Sequence, residues 1–450
     1  MSLAVVILAA GQGTRLKSAT PKVLHPLGGI PLIEHVLAAA RAVSLEPPTL
    51  VVGHGGDAVR AALGDRARYV TQSEQLGTGH AVRQAEALLQ GHSDRVLVMY
   101  SDMPLLEPET LQALVETQAH NSGPLTMLTC VTARPSDFGR VVRGTEGRVH
   151  SIVEAAQATP EQLRLTELNV GFYCFEADWL WSHLPLLPLS PKGEYYLTDI
   201  VHLAVSEGQR VASVTIEDET EIIGVNTRAQ LAQAEAALRQ RVNQKWLDAG
   251  VTLIDPATTY IEPTVQLGRD TVIWPNTHLQ GQSVIGEQCV IGPNTIVRDT
   301  TIGDACHIEC SVVEGASLAA EVHIGPFAHL RSGARLERGV HMGNFGEVKN
   351  STLGPGVKMG HFSYLGDATI GANVNIGAGT ITCNFDGVQK NKTVIGDDAF
   401  IGSDTMLVAP VTLGHRSRTG AGSVVTKNVP DDSLAVGVPA RVIRRLKAEG

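Results

Sequence analysis

Across the second half of the chain an aliphatic residue followed by glycine or another small residue returns every six positions. Ile285, Ile291 and Val297 keep this register, and Ile302 and Ile308 resume it after a one-residue slip. Ile324, Leu330, Leu336 and Met342 continue it, followed by Ile370 and Ile376. Ile395, Ile401, Leu407, Leu413, Thr419 and Val425 form the cleanest tract. A six-residue repeat means that each unit buries its apolar residue only by stacking on its neighbours. One hexapeptide per flat face makes a three-sided parallel β-helix with coils of about 18 residues. This repeat class is left-handed, an exception to the right-handed crossover rule. The 46 glycines in 450 residues and the 18% charged residues suit tight corners and stacked small side chains. A prism with so few charges on its faces is expected to associate side by side, as a homotrimer.

The register is interrupted once with consequence. Thr382 to Thr393, TCNFDGVQKNKT, separates Ile376 from Ile395, which are 19 positions apart. Read as one coil, that is one residue too many. A segment that leaves a rigid prism is a projecting loop, where function tends to sit.

Residues 1–228 read differently. Apolar strand candidates Ala4–Leu8, Leu50–Val52, Val96–Met99 and Val211–Val214 alternate with amphipathic stretches Leu32–Val43, Ala81–Leu89 and Glu109–Gln118. Strands separated by helices of this length predict βαβ units, a Rossmann-like and mostly parallel sheet, with a ligand crevice beyond the strand C-termini. Residues 229–249 carry Leu231, Ala234, Leu238, Val242 and Trp246 at helical spacing, and Gly250 follows as a natural stop. The expected organisation is an α/β domain over 1–228, a long helix over 229–249, and a β-helix over 250–450.

Charge and cysteine content narrow the function. Thirty-six Lys and Arg against 46 Asp and Glu leave a net charge of −10, which argues against a sequence-independent nucleic-acid binder. The N-terminal apolar run lacks a charged leader and is far short of a spanning helix. Six cysteines show no CxxC pair; a Cys306/His307/Cys310 zinc fragment lacks a second pair, so buried free thiols are the better reading. The chain is expected to be soluble and cytoplasmic.

The first strand runs into LAAGQGTRL and then SATPKVL. Gly11 and Gly13 let backbone N–H groups approach a phosphate, while Arg15 and Lys22 supply cations for a triphosphate and a departing pyrophosphate. A lone Gly-x-Gly after a strand is weak, since many structural turns share it. QSEQLGTGHA, from Gln72 to Ala81, has the form of a base-binding loop entering a helix. Asp102 just past one strand and Asn226 at the end of another offer oxygen ligands for a Mg²⁺ among phosphates. An Asp after a strand is more often a cap or turn residue, and it is the joint occurrence that points to a site.

In the prism half, Arg331 and Lys349 are one coil apart (331 + 18 = 349), so stacking makes them one anion-binding patch. His361, Tyr364, Asn375 and Asn384 lie within a few coils of them. A lone His on a β-helix is usually surface decoration. Beside an anion patch, however, it is the side chain whose proton affinity suits a general base near neutral pH.

LAAGxGTR…PKVL, Q-x-x-QLGTGHA, D-x-PLL, FGR, IVE, LNVG, YYLTD and GVN together resemble the sugar-1-phosphate nucleotidyltransferases. Joined to the hexapeptide half, the chain from about residue 3 to 435 resembles the bacterial bifunctional N-acetylglucosamine-1-phosphate uridyltransferase/glucosamine-1-phosphate acetyltransferases. That resemblance implies an α/β nucleotidyltransferase joined by a long helix to a left-handed β-helix acetyltransferase. It also implies that the products feed peptidoglycan and lipopolysaccharide synthesis. Leu8, Ala9, Ala10, Gly11 and Lys22 would hold UTP, and Gln72, Gly77 and Thr78 would read uracil. Tyr100, Ser101 and Asp102 would lie across the nucleotide-sugar; Gly139, Glu154 and Asn169 would hold the acetylated sugar; Asp102 and Asn226 would ligate Mg²⁺. His361 would accept the proton in acetyl transfer, with Arg331, Lys349, Tyr364 and Asn375 on glucosamine-1-phosphate. Ala378, Ser403 and Ala421 would line the acetyl-CoA groove, with Asn384 and Phe385 beside it. Three departures from the family pattern stand out: Val170 after the Asn, Phe385 where Tyr is usual, and the ending AVGVPARVIRRLK. Arg441, Arg444 and Arg445 are equal candidates for the CoA phosphates. The competing reading keeps only the nucleotidyltransferase and makes the prism a structural trimerisation module; a non-catalytic sugar-nucleotide binder fits neither half.

Overall fold

The computed structural model describes residues 2–133, 137–144 and 146–446. It divides into two compact units, Met1–Leu238 and Arg239–Gly450. The boundary falls inside one continuous helix, Arg228–Asp248, close to the predicted linker.

In the first unit the strands line up in the order Val211–Ile216, Leu125–Val131, Glu167–Glu176, Arg95–Tyr100, Leu3–Ala9, Thr49–Val52 and Arg68–Thr71. All neighbours pair in parallel except those of Glu167–Glu176, which runs antiparallel to both. In Leu3–Ala9 the buried side chains alternate between two cores, Ala4, Val6 and Leu8 in one and Val5 and Ile7 in the other. A strand buried on both faces reads as a continuous apolar run, which is why these strands stood out. The chain order reverses around Leu3–Ala9, whose neighbours are Thr49–Val52 and Arg95–Tyr100. The loops leaving Leu3–Ala9 and Arg95–Tyr100 therefore open on a common crevice. Helix Leu32–Val43 matches the periodicity, and Glu109–Gln118 extends to Pro108–His120. The helix expected over Ala81–Leu89 is instead two, Thr78–Arg83 and Glu86–Leu89. Thr78 starts the first because its hydroxyl receives the Leu197 N–H at 2.9 Å, a tertiary contact with no local signal.

The second unit is the predicted left-handed β-helix: three sheets of 12, 10 and 9 strands, parallel except for the final strand Ala440–Arg445, most strands being two residues long. Ile273, Ile291, Ile308, Ile324, Met342, Met359, Ile376 and Ile401 pair in succession on the first face. All point inward, at most 3% exposed. Coil length is less uniform than the repeat suggested: Ile291 to Ile308 is 17 residues and Ile308 to Ile324 is 16. Corners absorb the difference. Asp270, Asn276, Asn294, Asp299 and Asn373 turn them with φ between 51° and 60° or, for Asp299, 47°, a region that short polar side chains tolerate.

The interruption is larger than the sequence count indicated. Ile376 belongs to the first face and Ile395 to the third, so two hexapeptides, 12 residues, would separate them in an unbroken prism. Their spacing of 19 therefore hides an insertion of seven residues (19 − 12), and Ile376 stacks on Ile401, 25 positions on. Within the insertion Phe385 bridges Lys390, Asn391 N–H donates to Asn384 O at 2.7 Å, and Asp386 Oδ1 accepts from the Val388 and Gln389 N–H groups. It is a tight hairpin standing off the prism, with Phe385 61% and Val388 90% exposed.

Candidate active sites

The loop after Leu3–Ala9 lines two adjoining hollows of about 320 and 280 Å³ that share Ala9, Gly11, Lys22 and Val23, the larger bounded by His54, Gly55 and Val59 and the smaller by the loop carrying Gln72–Thr78. Together they are of the size that takes a nucleotide (about 300–1,000 Å³). Leu8, Ala9, Ala10, Gly11, Lys22, Gln72, Gly77, Thr78, Tyr100, Ser101 and Asp102 all line the smaller one. Gln72 is buried, and its amide donates to Gly77 O at 3.0 Å, which fixes its orientation. Gly77 has φ 95°, and a Cβ there would meet the Tyr195 backbone oxygen at 2.6 Å, so the loop requires glycine. Arg15 lies apart: it is exposed on the short turn Thr14–Leu16 and lines neither hollow.

Lys22 Nζ lies 2.8 Å from Asp102 Oδ2 and 2.9 Å from Asn226 Oδ1. The fold thus brings two oxygens from residues 124 positions apart (226 − 102) onto one cation. A carboxylate and an amide oxygen are the hard donors a divalent ion of the Mg²⁺ type takes, with water and phosphate oxygens completing its octahedron. Asn226 is held by its own backbone N–H, which donates to Gln230 Oε1 at 2.9 Å at the start of the long helix. The residues fit the ion.

Gly139, Glu154 and Asn169 line neither hollow; Asn169 N–H donates to Gly139 O at 2.8 Å, and Asn169 Oδ1 accepts from the Tyr173 hydroxyl at 3.0 Å. Glu154 Oε1 accepts from the Thr198 hydroxyl at 2.9 Å. Burial and then the facing Glu154 charge raise the Asp199 carboxyl above the usual range. Desolvation pushes the Tyr100 phenol up, so it stays protonated beside Thr78. Val170 is buried in the core and does not line the crevice. Gly171 is needed for a different reason: a Cβ there would meet the Tyr100 ring at 2.6 Å. Gln75, whose amide donates to Ala10 O at 2.9 Å, and Tyr196 also line the hollow. Both lie inside longer motifs, QSEQLGTGHA and YYLTD, whose local pattern does not single them out.

On the prism, each of His361, Ala378, Ser403 and Ala421 follows an inward first-face residue by two positions: Met359, Ile376, Ile401 and Thr419. They therefore stack along one corner, tied by backbone bonds from Gly379 N–H to Phe362 O, Asp404 N–H to Ala378 O, and Gly422 N–H to Ser403 O, at 2.7, 2.6 and 2.8 Å. Beyond His361 the equivalent position on each coil carries a small residue, Ala378, Ser403 and Ala421. Tyr364 points outward from the second face, and its hydroxyl shares the space beside Gly366 with the Asn384 amide. Asn384 is oriented by Asp367, whose Oδ2 accepts its N–H at 2.5 Å. Arg331 and Lys349 follow the paired residues Leu330 and Val348, as the coil arithmetic required. The Lys390 and Arg331 charges hold the Lys349 ammonium below the usual lysine range. Lys390 lies on the returning side of the inserted hairpin, opposite Phe385, and nothing local in the sequence aims it back at the prism. Asn375 departs from the expected cluster: it faces outward on the first face, across the corner from Tyr364. Arg441, Arg444 and Arg445 all lie exposed on the last strand, Ala440–Arg445, which turns back antiparallel on Ser433–Gly437.

The cysteines are all free. Cys306 is buried, while the next residue, His307, faces outward at the start of the strand His307–Ile308, so the Cys306/His307/Cys310 fragment does not converge on a zinc ion. No group of three His, Cys, Asp or Glu among the described residues forms a metal cage.

Residues 5–167 match the MobA-like NTP transferase domain, and residues 264–299 and 392–427 match the bacterial transferase hexapeptide family of six repeats. The chain is 48% identical over 432 residues to the bifunctional protein GlmU of Heliobacterium modesticaldum, covering 96% of this chain and 94% of that one. It is 48% identical over 437 residues to that of Trichlorobacter lovleyi, covering 96% and 95%. It is 45% identical over 432 residues to that of Exiguobacterium sibiricum, covering 96% of each.

Proposed function

The chain belongs to the family of bifunctional GlmU proteins, and from that premise we propose which of its residues carry each of two transfer reactions. It is a glucosamine-1-phosphate N-acetyltransferase and a UDP-N-acetylglucosamine diphosphorylase. Acetyl-CoA acetylates glucosamine-1-phosphate, and the product then takes the uridylyl group of UTP with release of pyrophosphate. We assign uridylyl transfer to residues 1–228, the linker to the helix over 229–249, and acetyl transfer to 250–450, of which 447–450 lie outside the described residues.

In the crevice, the phosphate oxygen of N-acetylglucosamine-1-phosphate attacks the α-phosphorus of UTP in line, and pyrophosphate leaves from the opposite side. Such a reaction asks for positioning and charge neutralisation rather than a protein nucleophile. Gln72, Gly77 and Thr78 hold uracil; Leu8 to Gly11 bring the backbone to the phosphates; Gly139, Glu154 and Asn169 hold the sugar beneath Tyr100 and Ser101. The family uses a divalent metal. We propose that Asp102 and Asn226 would hold Mg²⁺, which would supply charge neutralisation at the phosphates. Lys22, beside the same two oxygens, supplies its ammonium to the triphosphate, and Arg15 meets the pyrophosphate from the outer side of the loop.

At the prism corner, His361 takes the ammonium proton of glucosamine-1-phosphate, so that the free amine attacks the thioester carbonyl and CoA leaves as the thiolate. Arg331, Lys349 and Lys390 hold the phosphate, Tyr364 and Asn375 the sugar from the two faces that meet at His361, and Ala378, Ser403 and Ala421 the extended CoA chain, with Asn384 and Phe385 at its acetyl end. The observation that supports this over a purely structural prism is the single edge shared by His361 and the three small residues beyond it. We further propose a homotrimer working in the cytoplasm; no helix among the described residues is long and apolar enough to cross a membrane.

The deciding experiment is a thiol-release assay with acetyl-CoA and glucosamine-1-phosphate, without UTP or metal. Free CoA is the expected product. Its absence, alongside pyrophosphate release from UTP and N-acetylglucosamine-1-phosphate, would reduce the prism to a structural module.

A further inference from the structure

Three histidines stand in register on consecutive coils of the first prism face: His307 pairs with His323, and His323 with His341. All three point outward, away from the buried Ile308, Ile324 and Met342 beside them. The ring centres of His307 and His323 are 5.9 Å apart at 82°, and those of His323 and His341 are 6.3 Å apart at 40°. Neither transfer reaction uses them. We propose that His307 and His323 form a two-nitrogen chelate for a divalent first-row transition ion, with zinc as its representative, on the face of the prism.

Two imidazoles bound to one tetrahedral zinc, with Zn–N bonds of about 2.0–2.1 Å, bring their ring centres to about 5 Å. The 5.9 Å rung needs a closure of about 1 Å, within reach of outward side chains on a rigid backbone. Imidazole suits zinc, nickel and copper, whereas Mg²⁺ takes oxygen ligands, so this rung and the Asp102/Asn226 pair select different ions. Strands are about 4.7–4.9 Å apart, so His307 and His341, two rungs apart, cannot share an ion, and the ladder holds one at a time. The choice of rung follows from charge. Lys358 stacks directly on His341. The Lys358 ammonium would repel a metal cation on the His323–His341 rung, so the His307–His323 rung takes it. Glu321, two positions before His323, is held by Arg338 in an ion pair, and the proposed coordination is the two imidazoles with water.

The test is equilibrium dialysis of the full-length protein against micromolar Zn²⁺ with Mg²⁺ in large excess, for the wild type and for His307→Gln, His323→Gln and His341→Gln. One zinc per chain is expected for the wild type. Loss of a residue that merely orients a metal ligand already weakens binding about 10–100-fold, so His307→Gln and His323→Gln should each weaken it at least about tenfold. His341→Gln should stay within about twofold of the wild type, since it lies outside the favoured rung. Zinc should also raise the Tm of the wild type and leave that of His323→Gln unchanged. Wild-type protein that binds no zinc, His323→Gln that binds it normally, or equal weakening by His341→Gln overturns the proposal.

Discussion

Lys22 occupies the position in the crevice where charge is best placed, because its ammonium draws Asp102 and Asn226 onto one point. Removing the carboxylate by Asp102→Ala leaves Lys22 one oxygen partner and the proposed metal site a single protein ligand. Uridylyl transfer, followed by pyrophosphate release, should fall about 100-fold or more while acetyl transfer is unchanged. His361→Ala should do the reverse, lowering CoA release by about 10²–10⁴-fold, the usual worth of a positioned general base, with pyrophosphate release intact. Coupled loss in either variant would mean that the two sites are not independent. The Lys349, Lys390 and Arg331 trio makes a prediction about pH. Lys349 is held below the ordinary lysine range chiefly by Lys390 and then by Arg331, so it loses its proton earlier as pH rises. The mutual repulsion is present at neutral pH and is relieved in the alkaline window between the lowered and ordinary values. A bound phosphate opposes the shift. The KM for glucosamine-1-phosphate should therefore rise in that window. Lys390→Ala should move the rise to higher pH, and a KM flat across the window would refute the trio as the phosphate site.

At the scale of elements, the coils stack so closely that several glycines face the next coil's backbone. A Cβ on Gly343 would run into the carbonyl of Gly360, immediately before His361. Backbone cannot step aside as a flexible side chain can, so Gly343→Ala should destabilise the second unit by about 1–3 kcal/mol. A lower denaturation midpoint with near-normal uridylyl transfer is the expected outcome, and an unchanged midpoint would show that the corner yields more than its packing suggests. The inserted hairpin obeys a different constraint. Asp386 caps its turn and Asn391 closes it onto Asn384, so its shape is local, while the direction in which it carries Lys390 is set by the prism beneath.

For the whole molecule, the prism leaves Phe327 and Phe345 exposed and stacked, with ring centres 5.5 Å apart and planes at 13°. Phe362 is exposed one coil further along the same corner. Apolar rings in a row are poorly served by water, and this row adjoins His361. The proposed trimer should elute with a light-scattering mass three times that of the chain. Replacing Phe327 and Phe345 by serine should shift it towards the monomer, and a wild-type monomer would refute the assembly.

Sequence alone determined the architecture, for physical reasons that act locally. A six-residue apolar period can be buried only by stacking, and a strand covered on both faces, as Leu3–Ala9 is, must be apolar at every position. It also located most of the crevice, since Gly11, Gln72, Gly77 and Asp102 sit at strand ends or in tight turns, where the topology turns short motifs towards one place. What it could not decide depends on residues distant in the chain. The true size of the insertion needed to be counted face by face. Asn375 could be assigned to a face other than that of Tyr364 only once the coils were laid on one another. Lys390 joins Arg331 and Lys349, and Lys22 bridges Asp102 and Asn226, through contacts that no period or motif encodes. Local pattern fixes which way a side chain faces on its own element; only the packing of one element on another decides what it meets there.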